Sequence, residues 1–385
     1  MSSVYAQPSP WLAVRRVFSG FDPGLLLAVV VLAAIGLVAM YSAGYDHGTR
    51  FADHGRNMVL ALLVLFGVAQ VPPQKLQKLA LPLYTLGLAL LIATAVFGIT
   101  RKGATRWLAL GPLVIQPSEV LKIAVPLMLA WWFQRREGRL RVFDFIAAGV
   151  LLLLPVALVV KQPDLGTAVL ILAGGIYVIF FAGLSWKLVV PVLVMAAVCV
   201  AAVVLSADAI CKPGVEWPLL RAYQQHRVCT LLDPTTDPLG KGFHIIQGMI
   251  AIGSGGLSGK GFMQGTQTHL EFIPERTTDF IFAAFCEEFG LAGVLMLLAG
   301  FTFLIFRGLM IAAEAPTVFT RLLAGAVTMG FFTYAFVNMG MVSGILPVVG
   351  VPLPFVSYGG TAMVSLGLGL GILMSVARSR RLMQS

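Results

Sequence analysis

The chain has 385 residues, of which 58% are hydrophobic and only 11% are charged. Soluble domains carry about 25% charged residues, so this composition excludes an ordinary soluble protein and indicates many membrane spans. The formal net charge is +10. Because the Lys and Arg residues lie between apolar runs, this charge favours contact with anionic lipids or an anionic substrate over nucleic acid.

The apolar runs predict an all-α polytopic bundle with ten transmembrane helices. A span needs about 20 mostly apolar residues, so the short second run is expected to recruit flanking residues. The predicted spans are 24–42, 57–70, 78–98, 117–134, 144–160, 167–183, 188–207, 279–306, 322–342 and 361–377. Together they form a single transmembrane domain over residues 1–385.

Two terminal segments and one long loop complete this organisation. Residues 1–23 include a basic amphipathic stretch that suits an interfacial helix, and the first apolar run is longer than that of a cleaved signal peptide. Residues 208–278 form one large loop, and residues 378–385 form a short tail.

The distribution of basic residues predicts the orientation. An even number of spans places both termini on one side of the membrane. In the short connections, Lys and Arg residues number 14 on the terminal side and 7 on the other. The positive-inside rule counts short loops, so both termini are expected in the cytoplasm and loop 208–278 outside.

Three helix-start signals gather at the predicted outer face. Proline, a hydroxyl or an acid at the first turn marks a helix N-terminus, and such groups occur at 116–119, 162–164 and 277–279. Free N–H groups and the positive ends of helix dipoles favour anions there. Capping explains each motif alone, but it does not explain why so much charge gathers at this face of so apolar a chain.

The predicted outer loop between the third and fourth spans carries a basic cluster. Arg101, Lys102 and Arg106 lie next to Trp107, and Lys122 follows one turn into the fourth span. Cations beside helix N-termini suit a phosphate or diphosphate. The alternatives are contact with lipid headgroups for the cations and a role as interface anchor for Trp107.

Three acids lie at the start of the eighth predicted span. Ionisable groups at the centre of a membrane helix cost at least ~2.5–3.5 kcal/mol each, so they are functional by default. Asp279 shares one helix face with small residues, which places it best at the mouth of a cavity, where a carboxylate can act as a general base. Its alternative role is a helix cap. Glu287 and Glu288 are instead expected to pair with basic residues on neighbouring helices.

Other features of the chain favour structural interpretations. Asp164 either caps a helix or pairs with Lys161 or Lys122. Residues 244–252 form an apolar helical patch, and the Gly-rich run that follows lacks the sequence of a P-loop. Segment 343–360 is rich in Pro and Gly, so it is expected to be an irregular loop shielded by protein.

The four cysteines show no spacing that is typical of a metal site. Cys211 and Cys229 fall in the same polar loop. A disulfide between them is left open, because it depends on whether that loop faces an oxidising compartment.

Several longer motifs are specific enough to suggest a family. They are KGATRWL at 102–108, QPSEVLKIAVPL at 116–127, QPDLGTA at 162–168, RVCTLLDPTTDPLGKGFHIIQGMIAIGSGGLSGKG at 227–261, GTQTHLEFIPERTTDFIFAAFCEEFG at 265–290 and NMGMVSGILPVVGVPLPFVSYGG at 338–360. With them, the chain resembles the SEDS family (shape, elongation, division and sporulation) along nearly its whole length. Residues 348–351 resemble the elongation branch, since the division paralogue usually carries a Thr-Lys-Gly version there.

The resemblance implies ten transmembrane helices and a peptidoglycan glycosyltransferase of the bacterial cytoplasmic membrane. Such enzymes polymerise lipid II on the outer face and release undecaprenyl diphosphate. The implied partners are a class B penicillin-binding protein that acts as transpeptidase, other proteins of the elongation complex, and membrane lipids, with no nucleic acid. No cofactor is expected, although a divalent cation is an open alternative.

The resemblance also implies roles for particular residues. The family's catalytic acid falls on Asp279, and an important tryptophan falls on Trp107. Positions that line the same outer cavity fall on Arg106, Glu119, Lys122 and Asp164. The leaving diphosphate needs cationic stabilisation, for which the candidates are Arg101, Arg106 and Lys122.

Two other classes of function use the same residues. A lipid II flippase would also need many spans, buried acids and a basic cavity, but it should show polar groups along the whole depth of the bundle. Here the candidates cluster near the outer ends of the spans, which favours the enzyme. A purely structural anchor for the penicillin-binding protein would explain the long loop, but not Asp279 together with the basic cluster.

Overall fold

The structure is a computed structural model that describes most of the chain. The described residues are 20–46, 48–101, 104–110, 113–212, 215, 217, 222–237, 240–273 and 275–384. Within these ranges, the side chains of residues 101, 110, 113, 241 and 380–384 are not described. Most of the predicted N-terminal segment 1–23 therefore lies outside the described residues.

The protein is a helical bundle with one small sheet. In chain order the helices are α1 (Pro23–Ala43), α2 (Arg50–Ala69), α3 (Pro73–Phe97), α4 (Pro117–Gln134), α5 (Val142–Lys161), α6 (Leu165–Phe181), α7 (Trp186–Leu205), α8 (Ala207–Ile210), α9 (Ala222–Leu232), α10 (Lys241–Ser254), α11 (Thr266–His269), α12 (Ile281–Ala313), α13 (Val318–Val342) and α14 (Gly360–Gln384). Strands β1 (Ile99–Arg101), β2 (Ala104–Leu110) and β3 (Leu113–Ile115) form an antiparallel sheet in the order β1-β2-β3. This sheet was not predicted from the sequence.

Among the described residues, eight helices are long and apolar enough to cross a membrane. The short run at 57–70 does recruit upstream residues, since α2 begins at Arg50. The two remaining predicted spans are α4, which carries Glu119 and Lys122, and α6, which has 17 residues. For α4 and α6, crossing the membrane stays a prediction.

Helix α13 lies at the centre of the bundle, where it packs against α4, α6, α12 and α14. Most of its residues are buried, including Thr328 and Asn338. Helix α4 packs in turn against α3, α5 and α6. Helix α7 is the exception, because none of its residues is buried. Helices α4 and α13 thus occupy the interior, where protein rather than lipid surrounds their polar groups.

The two ends of the bundle differ. At one end, which we call the loop end, lie the β-sheet, the described residues of segment 206–280 and the segment 343–359. At the opposite end, Arg307 of α12 forms a bidentate ion pair with Asp22, at 2.8 Å from Nε and 2.6 Å from Nη2. Asp22 also accepts a hydrogen bond from the N–H of Leu25 and so caps α1.

Helix α12 is broken at Gly290, where φ is 59° and ψ is −160°. The prediction of one continuous span over 279–306 is therefore wrong in this respect. Two backbone carbonyls before the break accept hydrogen bonds from the Gly-rich segment 256–261. The Lys260 N–H donates to the Glu287 carbonyl oxygen, and the Gly261 N–H donates to the Glu288 carbonyl oxygen, both at 3.0 Å.

Two N–H groups after the break are satisfied by the same Gly-rich segment. Leu291 N–H donates to Gly256 O at 2.9 Å, and Ala292 N–H donates to Leu257 O at 3.1 Å. Unsatisfied backbone groups at membrane depth cost several kcal/mol each. The segment 256–261 therefore stabilises a broken helix by pairing with the backbone groups that the break releases.

The two glutamates of α12 hold this arrangement. Glu287 is fully buried and accepts from the Lys260 ammonium at 2.7 Å, the Thr266 hydroxyl at 3.0 Å and the Gln267 N–H at 3.0 Å. The Ser42 hydroxyl of α1 donates to Glu288 at 2.5 Å. Glu287 has a basic partner as expected, but this partner, Lys260, lies on the loop rather than on a neighbouring helix. Glu288 contacts a serine instead of the expected basic residue.

The long loop is tied together near its start. Cys211, just after α8, forms a disulfide with Cys229 of α9. The Gln225 side chain of α9 donates to Val215 O at 2.6 Å. The pairing that the sequence left open is therefore present. The predicted apolar patch 244–252 is also confirmed as helical, because it lies within α10.

The break at Gly290 predicts a large effect of a single methyl group. A Cβ at residue 290 would lie 2.3 Å from the Gly259 nitrogen, and its backbone conformation is one that non-glycine residues avoid at a cost of about 1–3 kcal/mol. We expect Gly290→Ala to lower the melting temperature of the detergent-solubilised protein strongly. Gly253→Ala is the control, because a Cβ there meets nothing within 4 Å and the helix gains up to ~1 kcal/mol. Equal melting temperatures for the two variants would contradict the packing described here.

Candidate active site

Asp279 is held from two sides at the loop end. The Asn338 side chain of α13 donates to the Asp279 carbonyl at 3.0 Å and to the Val351 carbonyl at 2.7 Å. Gly350 lies against the carboxylate, because a Cβ there would be 3.3 Å from Asp279 Oδ2. The residue at the cap position of α12 is Phe280, and the helix begins at Ile281. Asp279 thus precedes the helix instead of starting it.

Asp164 brings two distant segments together. It caps α6 by accepting from the Thr167 N–H at 3.3 Å, which confirms one of its two expected roles. Its charged partner is Arg106 of β2, at 3.7 Å, and not Lys161 or Lys122. Proximity along the chain did not predict this pair, because the small sheet carries Arg106 over the start of α6.

Arg106 is fixed further by backbone carbonyls. Its Nε donates to Gln162 O at 3.3 Å, and its Nη2 donates to Pro163 O. On the other side of Asp164, the Gln116 side chain donates to Oδ2 at 2.8 Å. These contacts place the N-termini of α4 and α6 and the sheet in one polar cluster.

Gly166 joins this cluster to Asp279. A Cβ at Gly166, in the first turn of α6, would lie 2.8 Å from Val349 O and 3.4 Å from Gly350 O. Since Gly350 also lies next to the Asp279 carboxylate, α6 and Asp279 pack against the same short stretch of segment 343–359. This segment is irregular, as predicted, and its residues 353–357 are buried.

Lys122 and Glu119 form a buried pair on α4. Their ammonium and carboxylate groups are 2.7 Å apart, and their side chains are 7% and 15% exposed. Lys122 also donates to the Tyr334 hydroxyl at 2.6 Å, and the Ser365 hydroxyl donates to Glu119 at 2.8 Å. The positive charge of Lys122 is therefore already balanced by Glu119.

A large apolar groove opens beside this pair, between α2, α3, α4 and α14. Its cavity volume is about 650 Å³. Polar residues line only one end, namely Asn57, Gln116, Glu119, Thr361 and Ser365. The rest of the lining is aliphatic and reaches Val71, Leu76 and Ile372. Gln116 lines the groove and also bonds Asp164, so the groove meets the polar cluster at the loop end.

Some predicted site residues are not joined to the cluster. The side chain of Arg101 and all of Lys102 lie outside the described residues. Trp107 follows Arg106 in β2, and consecutive strand residues point to opposite faces, so its indole lies on the other face of the sheet. The role of Trp107 stays a prediction.

Two arginines at the loop end were not predicted from the sequence to make internal contacts. Arg227 of α9 donates from Nη1 to Val348 O at 2.8 Å. Arg276, which is 2% exposed, donates from Nε to Ala43 O at 3.0 Å and pairs with Asp46. The only sequence signal for these two arginines was their charge in an otherwise apolar chain. Charge alone does not predict which loop residues point into the protein.

Comparison with known proteins identifies the family. Residues 23–382 match the family described as "Cell cycle protein", which groups FtsW, RodA and SpoVE. The chain belongs to the SEDS family. The resemblance read from its motifs is thereby confirmed.

Relatives within the SEDS family cover nearly the whole chain. The chain is 48% identical over 363 residues to "Peptidoglycan glycosyltransferase MrdB" of Escherichia coli (strain K12), covering 94% of this chain and 95% of that protein. It is 30% identical to "Peptidoglycan glycosyltransferase RodA" of Treponema pallidum (strain Nichols), covering 94% and 98%.

Solved SEDS structures share the fold. One belongs to a study of the structural coordination of polymerization and crosslinking by a peptidoglycan synthase complex; its TM-score is 0.77 at 35% identity, covering 94% of this chain and 98% of the other. The rod shape determining protein RodA of Thermus thermophilus gives a TM-score of 0.67 at 29% identity, covering 94% and 97%.

The buried pair on α4 predicts a separation of stability from activity. We expect Lys122→Met to destabilise the protein by about 3–5 kcal/mol, because it leaves the Glu119 carboxylate buried without a cation. The double variant Lys122→Met, Glu119→Gln should recover most of the lost melting temperature, since it buries no net charge. If the pair serves the reaction, glycan synthesis stays low in the double variant; recovery of both properties would show that the pair is only structural.

Proposed function

We propose that this SEDS protein is a lipid II polymerase of the cell elongation machinery. It is a peptidoglycan glycosyltransferase, as its 48% identical relative is named, and it joins disaccharide units on the outer face of the bacterial cytoplasmic membrane. The observation that carries the proposal is the position of Asp279. Its carboxylate lies at the loop end beside Gly350, which also packs against the first turn of α6, where Asp164 pairs with Arg106.

The reaction is a single displacement with inversion. The 4-hydroxyl oxygen of the acceptor GlcNAc attacks the anomeric carbon of the donor's MurNAc, and the bond to undecaprenyl diphosphate breaks. Asp279 accepts the hydroxyl proton as general base, and the α-linked diphosphate becomes a β-linked glycan. The leaving group departs with the electron pair of the broken bond, so it needs positive charge near it.

The positive charge comes from protein side chains in this proposal. Arg106 is fixed by two backbone carbonyls and Asp164, which leaves part of its guanidinium fork for phosphate oxygens. Lys122 can contribute only if the substrate competes with Glu119 for its ammonium group. No resident cofactor is required for these steps.

The groove suits the lipid part of the substrate. Its polar end contains Gln116, which also contacts Asp164, while its remaining surface is aliphatic. If a polyprenyl chain occupies this groove, its diphosphate lies at the polar end, close to Arg106. The aliphatic lining offers no polar path for a sugar head through the membrane, which favours polymerisation over transport.

The proposed orientation places the loop end outside the cytoplasm. The disulfide between Cys211 and Cys229 supports this, since disulfides persist in oxidising compartments. Both termini are then cytoplasmic. The proposed partner is a class B penicillin-binding protein, because a structural neighbour belongs to a complex that coordinates polymerization and crosslinking.

The general-base role predicts the effect of a small change at Asp279. We expect Asp279→Asn to reduce lipid II polymerisation by about 10²–10⁴-fold while the melting temperature stays within the range of the wild type. The assay uses the purified chain with its penicillin-binding partner, whose transpeptidase is blocked. Asp208→Asn is the matched control, because Asp208 is exposed in the long loop. Normal glycan strands from Asp279→Asn would refute the assignment. No strands from any form, with lipid II crossing between leaflets, would identify a flippase.

The groove predicts a change in apparent affinity for lipid II. In Leu83→Trp the indole would fill the groove, and excluding about two methylenes of lipid, each worth ~0.8 kcal/mol, corresponds to about a tenfold rise in KM. Leu81→Trp is the control, since Leu81 is exposed on the outer surface of the same helix and does not line the groove. A similar KM for both variants would exclude the groove as the lipid site.

A further inference from the structure

One face of α9 points toward the site but takes no part in the mechanism above. Tyr223, Arg227 and Thr230 share that face, because residues spaced by three, four and seven lie together on a helix. The hydroxyl oxygens of Tyr223 and Thr230 are buried, and neither contacts a hydrogen-bond partner among the described residues. Buried hydroxyls of this kind call for an explanation, such as a ligand that completes them.

Arg227 lies close to the groups that hold Asp279. Its Nη1 donates to Val348 O at 2.8 Å, two residues before Gly350, which contacts the Asp279 carboxylate. Arginine carries five N–H groups, and Val348 O is the one acceptor recorded for Arg227 among the described residues. Most of its fork is therefore free to contact an anion.

The two guanidinium groups contact neighbouring segments, because Arg227 binds Val348 O, Arg106 pairs with Asp164 at the start of α6, and Gly166 of α6 packs against Val349 O. Burial and the like charge of Arg106 lower the pKa of Arg227, whereas the charges of Asp164 and Asp279 and the Tyr223 hydroxyl raise it. Arg227 is thus within electrostatic reach of all four side chains. Neighbouring arginines repel one another unless an anion lies between or beside them, and paired forks match the geometry of phosphate oxygens.

Helix α9 is tied to the start of the long loop by a disulfide and by side-chain hydrogen bonds. The disulfide from Cys229 joins it to Cys211, and the Gln225 side chain bonds the backbone of Val215 at 2.6 Å and accepts from the Trp217 N–H at 3.3 Å. Binding groups held in place by such contacts lose less conformational entropy when a ligand arrives.

We propose that Arg227 and Tyr223 form a further substrate-binding element, which takes the diphosphate of a lipid-linked sugar between Arg227 and Arg106. The proposal rests on the glycosyltransferase function proposed above and deepens it by assigning a second guanidinium to the leaving group. Arg227 binds the diphosphate oxygens through its free N–H groups, and the Tyr223 hydroxyl donates to the same group. No covalent step is added.

Binding of farnesyl diphosphate tests the proposal without turnover. The protein carries Asp279→Asn in every sample, so a failure of the catalytic assignment does not affect this measurement. We expect Arg227→Gln to weaken binding by about 10- to 100-fold and Tyr223→Phe by about threefold to tenfold, as for lost hydrogen bonds to a charged group. Arg56→Gln is the matched control, because Arg56 is an exposed arginine whose recorded ion pair is with Asp53 of the same helix.

Additional variants and probes separate binding from folding. Arg227→Lys keeps a cation and one donor to Val348 O, so it should restore the wild-type melting temperature but only part of the affinity. Farnesyl monophosphate should bind more weakly than the diphosphate to the parent protein, and this preference should shrink in Arg227→Gln. In the active background, Arg227→Gln should change the KM for lipid II more than Tyr223→Phe does.

Three results would overturn the proposal. One is equal binding of farnesyl diphosphate by Arg227→Gln and the parent protein, or no binding by the parent. Another is full recovery of affinity by Arg227→Lys together with its melting temperature, which would make Arg227 a structural contact of Val348. The third is equal competition by phosphatidylglycerol nanodiscs, absent with phosphatidylcholine, which would identify the site as one for lipid headgroups.

Discussion

The break in α12 at Gly290 is the feature on which the candidate site depends. A break at membrane depth releases backbone groups that lipid cannot satisfy, and here the segment 256–261 supplies partners for four of them. That segment can follow the helix backbone closely because residue 259 is a glycine and has no side chain. A Cβ at Gly259 would lie only 2.0 Å from the Glu288 carbonyl oxygen. The break separates the first two and a half turns of α12, about nine residues, from the long span. Those turns, and Asp279 before them, can then pack inside the protein in a direction of their own.

Three acids near the start of α12 make different contacts in the structure, although their sequence context is similar. The Glu287 carboxylate accepts hydrogen bonds from Lys260, the Thr266 hydroxyl and the Gln267 N–H. The Glu288 carboxylate accepts a hydrogen bond from the Ser42 hydroxyl. Both hold the loop and α1 against the broken helix. Asp279 is held instead through its backbone carbonyl, which Asn338 binds. This contact positions Asp279 through the backbone, whereas the contacts of Glu287 and Glu288 are made by their carboxylates.

Local sequence signals predicted much of this molecule, and distant contacts account for what they missed. Apolar runs located the helices, and the motifs at 116–119 and 162–164 located the N-termini that carry Glu119 and Asp164, since both signals act within a few residues. The sheet at 99–115 and the break at Gly290 were not predicted. Both depend on backbone hydrogen bonds to other segments, which the local sequence does not reveal. The same holds for the choice of Arg106 as partner of Asp164, 58 positions away along the sequence, and for the inward turn of Arg227. Irregular backbone at 343–359 was predicted, but its contact with Asp279 was not.

The arrangement of polar groups also bears on the direction in which a substrate can move. Gln116 lies where the groove touches the polar cluster, and beyond Glu119 and Ser365 the lining is aliphatic. A lipid chain can slide along such a surface, but a charged sugar diphosphate would lose its hydration without gaining partners. In the proposed function, the head of the substrate would therefore stay at the loop end, where Asp164 and the carbonyls of Gln162 and Pro163 keep Arg106 in place. A protein that confines the head at one face and leaves the tail free in the membrane is suited to repeated transfer at that face, because the growing lipid-linked chain never has to leave the bilayer between steps.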